Sequence, residues 1–226
     1  MANQPIEYKR GFKRFLGCKI DLSLKPMIPR PETEFWLKKA IKQIKSQKSK
    51  VKNLNILDIF AGSGCIGIAV LKHIKNAKVD FAEINKKFLK QIKINLKLNK
   101  ISPKKYRLIH SDIFSKFTSF KDVNYDYIFA NPPYVGLNKR HLVQESVLDW
   151  EPLMAIFGGE DGLLYIRRFL KDAKKYLKKN GKIYLEFDHL RKRETEELLK
   201  QLKYKKFKFY KDQFKKWRWV VIFDKI

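Results

Sequence analysis

The stretch LNILDIFAGSGCIGIAVLK, residues 54–72, decides the fold of this chain. Its first part, Leu54–Phe60, is mainly apolar and predicts a buried strand, and a helix is predicted over Cys65–Lys75. Gly62 and Gly64 stand between the two, where the backbone must turn tightly and allow a ligand to come close. A strand that passes through a glycine turn into a helix begins a βαβ unit, so this stretch predicts an α/β fold.

The same alternation of strands and helices continues toward the carboxyl terminus. Further strands are predicted over Val79–Glu83, Arg107–His110, Tyr125–Ala130, Lys182–Phe187, Lys205–Tyr210 and Trp217–Phe223. Further helices are predicted over Lys86–Leu98, Leu163–Lys179 and Arg193–Leu202, with Asn180-Gly181 ending the second of these. The pattern predicts a mostly parallel seven-stranded sheet with helices on both faces, and ligands at the carboxyl ends of its strands.

Three prolines in six residues, Pro26 to Pro31, forbid a helix at the amino-terminal side of this pattern. An amphipathic helix from Pro31 to about Lys45 is predicted directly afterwards. We therefore expect residues 1–25 to form a short N-terminal extension and residues 26–226 to form one functional domain.

The charge of the chain is strongly positive. Lysine and arginine total 51 residues against 23 acidic residues, which gives a formal net charge of +28 at pH 7. Because the excess is spread along the whole chain, it favours contact with a polyanion such as RNA or the ribosome, and an overall lysine bias in composition explains it equally well.

The cysteine content and the hydropathy of the chain indicate in which cellular compartment the protein is expected. Cys18 and Cys65 are too few for a disulfide framework and fit a reducing cytosol. No apolar run approaches the roughly 20 residues needed to span a bilayer, and the start of the chain has no apolar signal core. The four histidines have unrelated spacings, so no metal site is predicted. We expect a cytoplasmic protein without a membrane contact.

The glycine-rich turn after the first strand predicts a cofactor site. Gly62, Gly64 and Gly67 follow the acidic Asp58, and a carboxylate suits a cationic or hydroxylated ligand better than a pyrophosphate. S-adenosylmethionine, with its sulfonium and amino group, fits this pattern. The alternative is a turn that is tight for structural reasons only.

Two further strand ends carry acidic residues suited to the same ligand. Glu83 ends the second predicted strand, where its carboxylate can accept both ribose hydroxyls. Asp112 follows the third strand and is predicted to face the adenine edge while Ile113 covers the ring. A helix N-cap is the alternative role for Asp112.

The fourth strand ends in Asn131-Pro132-Pro133-Tyr134, a stiff corner with free acceptors. The Asn131 side-chain oxygen and the Pro132 carbonyl can accept the two hydrogens of one NH2 group, while Tyr134 packs on its plane. Such a clamp would hold a carboxamide or an exocyclic amine for methylation. The alternative is an ordinary Asn-Pro surface turn.

Four segments together resemble the glutamine methyltransferases of peptide-chain release factors, the HemK-type proteins. They are Ile28–Glu34, Asp58–Gly67, Asn131–Tyr134, and Glu151–Leu163 with its Glu-Pro and Gly-Gly-Glu-Asp-Gly-Leu sequences. Order and spacing agree over about Phe12 to Phe187, and the first and last segments are far more specific than the middle two.

The resemblance implies a Rossmann-like class I S-adenosylmethionine-dependent methyltransferase that modifies the side-chain amide nitrogen (N5) of a glutamine in a release factor. The catalytic residues would be Asn131, Pro132 and Tyr134. The cofactor-binding residues would be Asp58, Phe60, Ala61, Gly62, Ser63, Gly64, Glu83, Asp112, Ile113 and Asn131. The substrate-binding residues would be Arg30, Thr33, Glu34, Asn131, Pro132, Pro133 and Tyr134.

Departures from the family pattern leave other functions open. Family members usually carry a helical N-terminal domain for which the residues before Phe12 are too few, so we expect docking to differ. The ending Lys215–Trp219 is unusually basic and aromatic, and a final strand with its tryptophans in the core is favoured over nucleic-acid stacking. The alternatives are adenine-N6 methylation of RNA or DNA, glutamine methylation of a ribosomal protein, and a non-catalytic basic ribosome-binding module.

Overall fold

The computed structural model describes residues 2–46, 53–117 and 124–223. Its helices are α1 (Ile6–Arg10), α2 (Pro31–Ser46), α3 (Cys65–His73), α4 (Lys86–Leu98), α5 (Glu145–Trp150), α6 (Leu164–Ala173) and α7 (Lys192–Gln201). Its strands are β1 (Phe12–Phe15), β2 (Cys18–Asp21), β3 (Leu54–Ile59), β4 (Ala77–Glu83), β5 (Tyr106–His110), β6 (Tyr125–Ala130), β7 (Leu177–Glu186), β8 (Phe207–Lys211) and β9 (Trp217–Ile222). These bounds confirm the predicted alternation of strands and helices.

The main sheet has seven strands in the order β5-β4-β3-β6-β7-β9-β8. All neighbouring pairs from β5 to β7 are parallel, and β9 runs antiparallel to both β7 and β8. The chain proceeds outward from β3 in one direction and resumes at β6 on the other side. The carboxyl ends of β3 and β6 therefore meet at the topological switch point, where open α/β sheets bind ligands.

Alternate residues of each central strand pack into two separate apolar layers. Ile56 of β3 belongs to the layer with α2, α3 and α4, whereas Leu57 belongs to the layer with α6 and α7. Successive side chains of a strand point to opposite faces, so β3 contributes to both layers. This arrangement confirms the predicted α/β sheet with helices on both faces.

The amino-terminal residues form an antiparallel hairpin, β1 with β2, that packs against α3 and α4. Phe15 and Ile20 of this hairpin are buried in the same layer as Trp36. Asn95 of α4 donates to the Asp21 carbonyl and its Oδ1 accepts from the Asp21 N–H at 2.7 Å. The extension is thus bonded to the sheet's covering helices, and the domain boundary after residue 25 stays a prediction.

The predicted helix Leu163–Lys179 is too long. The α-helix ends at Ala173, one 3-10 turn follows, and the chain is already paired with β6 at Leu177. Asn180, with a φ of 66°, and Gly181 form an irregularity inside β7 rather than the end of a helix. The side chain of Leu177 is buried in the core, and this packing outweighs the tendency of Asn180-Gly181 to end a helix.

The Trp residues near the carboxyl terminus lie as the final-strand interpretation predicts. Trp219 on β9 is buried and stacks on Tyr210 with ring centroids 5.3 Å apart. Trp217 is half-buried, and Lys211 lies over its ring. Both side chains take part in the packing around the antiparallel edge of the sheet.

Candidate active site

One large cleft opens at the carboxyl ends of β3, β4, β5 and β6 and encloses about 980 Å³, including space open to solvent. Its lining is mainly apolar with a few polar groups, as in sites for small molecules and cofactors. Predicted site residues line it: Arg30, Thr33, Phe60, Ala61, Gly62, Ser63, Glu83, Asp112, Ile113, Asn131 and Pro133. The remaining predicted residues lie elsewhere: Glu34, Asp58, Gly64, Pro132 and Tyr134.

The glycine turn forms one wall of the cleft with its backbone. Phe60 has a φ of 61° and Gly62 a φ of 52°, so both lie in the left-handed region. A bulky residue with this φ is strained, and such strain concentrates at ligand sites. The Phe60 ring packs edge-on against Tyr165 and Phe169, which holds the turn in place.

Asp58 lies beneath the glycine turn and does not line the cleft. Its Oδ2 accepts from the Gly67 N–H at 2.8 Å, so the carboxylate joins β3 to the first turn of α3. Its Oδ1 is buried and has no hydrogen-bond partner among the described residues. Burial, with a smaller contribution from the negative charge of Glu83, raises the pKa of Asp58 to about 8 despite the Gly67 hydrogen bond. An acceptor of this kind fits a cationic group above it.

Glu83 at the end of β4 lines the cleft with both carboxylate oxygens already oriented. Oε2 accepts from the Gly62 N–H and Oε1 from the Asn85 N–H, each at 2.8 Å. Each oxygen keeps a further lone pair, so the group is able to accept two neighbouring hydroxyls. Burial raises the pKa of Glu83, although the hydrogen bonds from Asn85 and Gly62 oppose the shift.

Asp112 and Ile113 form the wall beyond β5. The Asp112 Oδ2 accepts from Arg168 Nη2 at 2.7 Å. Ile113 is buried with a φ of 51°, a second apolar residue of the cleft in the left-handed region. The exposed Ile84 and Met154 also line the cleft, and no sequence pattern singled them out.

Asn131 lies between this cleft and a second cavity of about 500 Å³, which includes space open to solvent. Pro132 and Tyr134 line only the second cavity, together with an apolar wall of Val135, Val143, Val147 and Ile156. Arg30, Met27 and Ala155 line both spaces. The residue predicted to hold an NH2 group therefore stands where a ligand in one cavity meets a ligand in the other.

The glycine segment at residues 158–162 supports the backbone of the Asn131–Tyr134 corner. Gly158 N–H donates to the Val135 carbonyl at 2.8 Å, and Val135 N–H donates to the Ile156 carbonyl at 3.0 Å. A Cβ at Gly158 would collide with the Pro133 carbonyl oxygen, and one at Gly162 would collide with that of Tyr134. Only glycine permits so close an approach, which is the physical reason for this segment's composition.

The proline-rich segment before α2 is held by Glu151. Its Oε1 accepts from Arg30 Nη2 at 2.6 Å, and its Oε2 accepts from the Ile28 N–H at 2.9 Å. Glu34, predicted to line the mouth, instead accepts from the Leu16 N–H at 2.7 Å and faces the amino-terminal hairpin. Glu34 points away because it follows Thr33 by one position on α2, and adjacent helical residues face different sides.

Glu186 is a site residue that the sequence did not reveal. It ends β7, is fully buried, and accepts from Thr33 Oγ1 and Trp36 Nε1, both at 2.7 Å, and from the Tyr134 hydroxyl at 2.9 Å. Burial raises the pKa of Tyr134 well above its usual value, and the negative charge of Glu186 adds to the shift. Tyr134 is thus held as a neutral donor whose ring borders the second cavity.

Two further observations concern the described residues as a whole. No group of three or more His, Cys, Asp or Glu side chains in them is arranged to hold a metal ion. None of their helices combines the length and apolar character required to cross a bilayer.

The family model of the methyltransferase small domain matches residues 40–149. A release factor glutamine methyltransferase of Flavobacterium psychrophilum is 34% identical over 92% of this chain and 72% of its own length. One of Streptococcus pneumoniae is 35% identical over 99% of this chain and 76% of its own length.

A solved structure shares the fold at low sequence identity. The hMettl16 catalytic domain, solved with a MAT2A 3'UTR hairpin, superposes with a TM-score of 0.69 and 17% identity over 92% of this chain and 75% of that chain. This likeness confirms the class I methyltransferase fold. The identities and coverage shared with the Flavobacterium and Streptococcus proteins show more, and the chain belongs to the release factor glutamine methyltransferase family.

Proposed function

We propose that this protein transfers a methyl group from S-adenosylmethionine to the side-chain amide nitrogen of a glutamine in a peptide-chain release factor. The observation that carries the proposal is the position of Asn131 between two adjoining cavities. One cavity has the acceptors of a nucleoside site, and the other has an apolar wall wide enough for an extended side chain. The named activity of the family members supports the substrate.

The large cleft fits S-adenosylmethionine by its hydrogen-bonding groups. The carboxylate of Glu83 suits the two ribose hydroxyls, and Ile113 offers an apolar surface for the adenine. The Asp58 Oδ1, buried without a partner among the described residues, suits the positive charge of the amino group from below the turn. When bound there, S-adenosylmethionine supplies an electrophilic methyl group.

The chain's own contribution to the reaction is to orient a weak nucleophile. A carboxamide nitrogen has a delocalised lone pair, so the amide must be held with that lone pair aimed at the methyl carbon. The Asn131 Oδ1 and the Pro132 carbonyl are suited to accept the two amide hydrogens, and the apolar wall of the second cavity excludes water. After transfer, the nitrogen proton leaves to solvent through one of these oxygens.

The positive charge suggests where the reaction takes place. A formal net charge of +28 favours association with the ribosome or its RNA, which would bring the enzyme to release factors in the cytoplasm. Binding to ribosomes or rRNA should then weaken steeply as salt rises from about 50 to 200 mM. Binding that is absent, or insensitive to salt, would mean that the charge reflects composition alone.

Adenine-N6 methylation remains the second candidate, because an exocyclic amine and a carboxamide present the same planar NH2 group to Asn131. Tyr134 borders the second cavity and offers a ring for base stacking. The basic composition also suits a nucleic-acid substrate.

One labelling experiment separates these functions. Purified protein and labelled donor are incubated with release factor, ribosomal proteins, rRNA and DNA, and the label is located by mass spectrometry. We expect N5-methylglutamine in the release factor and none with an Asn131→Ala variant. Label on nucleic acid or on a ribosomal protein alone would contradict the proposal, and donor binding without any label would favour a non-catalytic module.

A further inference from the structure

Glu186 connects three parts of the site that are far apart in sequence. Its Oε2 takes hydrogen bonds from Thr33 and Trp36 of α2, and its Oε1 takes one from Tyr134. The side chain is completely buried, so these donors replace all contact with water. A buried charge of this kind adds little net stability over apolar residues of similar volume, so the contacts of Glu186 point to an orienting role.

The carboxylate fixes the direction of the Thr33 hydroxyl. An ionised carboxylate accepts hydrogen bonds and donates none, so the single hydrogen of Thr33 Oγ1 points to Glu186. Only the lone pairs of Oγ1 remain for other partners. Asn131 Nδ2 donates to Oγ1 over 3.4 Å, a long bond of the kind that shortens when a site is filled.

This contact decides which end of the Asn131 amide is left for a substrate. With Nδ2 engaged by Thr33, the Oδ1 end remains as an acceptor. If Thr33 donated to Asn131 instead, the amide would turn around and offer its NH2 group. Two NH2 groups cannot hydrogen-bond to each other through their donors, so the clamp would no longer hold a glutamine amide.

We propose that Glu186 is a positioning residue that, through Thr33, fixes Asn131 with its oxygen toward the substrate amide. The inference rests on the proposed function, since it concerns the same clamp. Glu186 is not among the residues that line the two cavities, so its role is indirect. It determines which atoms donate and which accept the hydrogen bonds that link Glu186, Thr33 and Asn131.

Burial disfavours the ionised form of Glu186, and the groups that face this side chain oppose that effect. Burial raises the pKa of Glu186, while the donors Trp36, Thr33 and Tyr134 and the positive charge of Arg218 on β9 lower it. Cys65 on α3 also interacts with Glu186: burial, Asp58 and Glu186 raise the pKa of its thiol, which stays neutral. Acidification through the raised pKa of Glu186 should therefore protonate it, turn it into a donor and disrupt the clamp.

Four variants test this order of hydrogen bonds. Glu186→Gln places an NH2 donor beside Thr33, and Thr33→Val removes the hydroxyl while keeping the shape. Thr33→Ser restores the hydroxyl. Trp36→Phe removes a hydrogen bond from the same Oε2 without breaking the path to Asn131, and serves as the matched control.

Single-turnover transfer to the release factor, donor affinity and thermal unfolding are measured for each variant. We expect Glu186→Gln and Thr33→Val to lower the transfer rate by about 10-fold or more with donor affinity within about threefold. Thr33→Ser should be clearly faster than Thr33→Val. Trp36→Phe should unfold at a lower temperature with a rate within about threefold of wild type. The fall in transfer rate at acidic pH that we expect for the wild type should be absent in Glu186→Gln.

Wild-type rates in Glu186→Gln, or rate losses that follow thermal stability equally in Glu186→Gln and Trp36→Phe, would overturn the proposal. A readout without substrate keeps the test separate from the proposed function. The side-chain NH2 resonance of Asn131 should shift as Glu186 titrates in wild type and not in Thr33→Val. If this shift occurs while no release factor is methylated, the positioning role holds and the proposed substrate is wrong. If it does not occur, the positioning role is wrong.

Discussion

Asp58 and Glu186 are both completely buried carboxylates, on the two strands that flank β6, yet their surroundings differ. Glu186 has three side-chain donors on its two oxygens. Asp58 has one backbone donor, and its Oδ1 has no partner among the described residues. The donors around Glu186 couple it to the orientation of its neighbours, whereas the free Oδ1 of Asp58 can still take a further hydrogen bond or a cation.

The two sides of the site differ in the same way. The cofactor side is formed by strained backbone around Phe60 and Gly62, with acceptors that retain free lone pairs. The clamp side, Asn131 to Tyr134, is fixed by side-chain hydrogen bonds and by the close approach of Gly158. The cofactor side has free acceptors for several polar groups, whereas the clamp side is fixed in one geometry. The comparison predicts that substitutions on the two sides affect different measurable steps.

Asn131→Ala should have the largest effect, and it should fall on the transfer step. Loss of one acceptor of the clamp is expected to reduce single-turnover transfer by about 100-fold or more, as removal of a positioned polar group does in other active sites. Donor affinity, measured by calorimetry, should stay within about threefold. Asn99→Ala, at the end of α4 where Asn99 bonds to Lys19, is the matched control. A collapse of donor binding would move Asn131 to the cofactor side.

Glu83→Gln should affect donor affinity rather than the transfer step. The amide presents an NH2 group toward the N–H of Gly62 or Asn85 and removes one acceptor for the ribose, so donor affinity should weaken by about 10-fold to 100-fold. The rate at saturating donor should change little. Asp126→Asn is the control, because Asp126 accepts the Asn55 N–H at the opposite end of the sheet. Equal losses in affinity and saturated rate would erase the distinction between the two sides.

Gly158→Ala tests the support of the clamp. The added methyl group collides with the Pro133 carbonyl oxygen, so the corner must move at a stability loss of about 1–3 kcal/mol. Transfer should fall more than donor affinity. Gly11→Ala adds a methyl group in open space at a φ of 77°, and should lose stability without the selective loss of transfer. Matching kinetic losses in both variants would show that the effect is general instability.

The effect of Asp58→Asn should appear in the pH dependence of stability. The folded pKa of Asp58, about 8, lies above its usual value, so the native state binds a proton that the unfolded state releases in this window. Wild-type stability should therefore fall relative to Asp58→Asn as pH rises from about 5 to 8, by at most about 1.4 kcal/mol per pH unit. Urea unfolding at several pH values measures the difference. Parallel curves would mean that Asp58 is ionised throughout.

The sequence predicted the order of strands and helices because apolar periodicity and glycine turns are local signals. It failed at Asn180-Gly181, where buried Leu177 overrides a strong helix stop. Glu186 was not among the predicted site residues, because an acidic residue at the end of an apolar strand does not by itself indicate a role. Its partners Thr33 and Trp36 lie on α2, and only folding brings them together. Glu151 belongs to the Glu-Pro sequence that the resemblance singled out, but its bond to Arg30 became visible only in the structure.

An isolated β-bridge pairs Val135 with Phe157, so the segment between these two residues is fixed at both ends. Backbone hydrogen bonds hold both ends beside the clamp whatever side chains lie between them. The segment carries the exposed Leu137, Leu142 and Leu153, and of its interior only Glu151 is bonded to the proline-rich segment. Exchange of its exposed positions should therefore leave the backbone of the clamp in place.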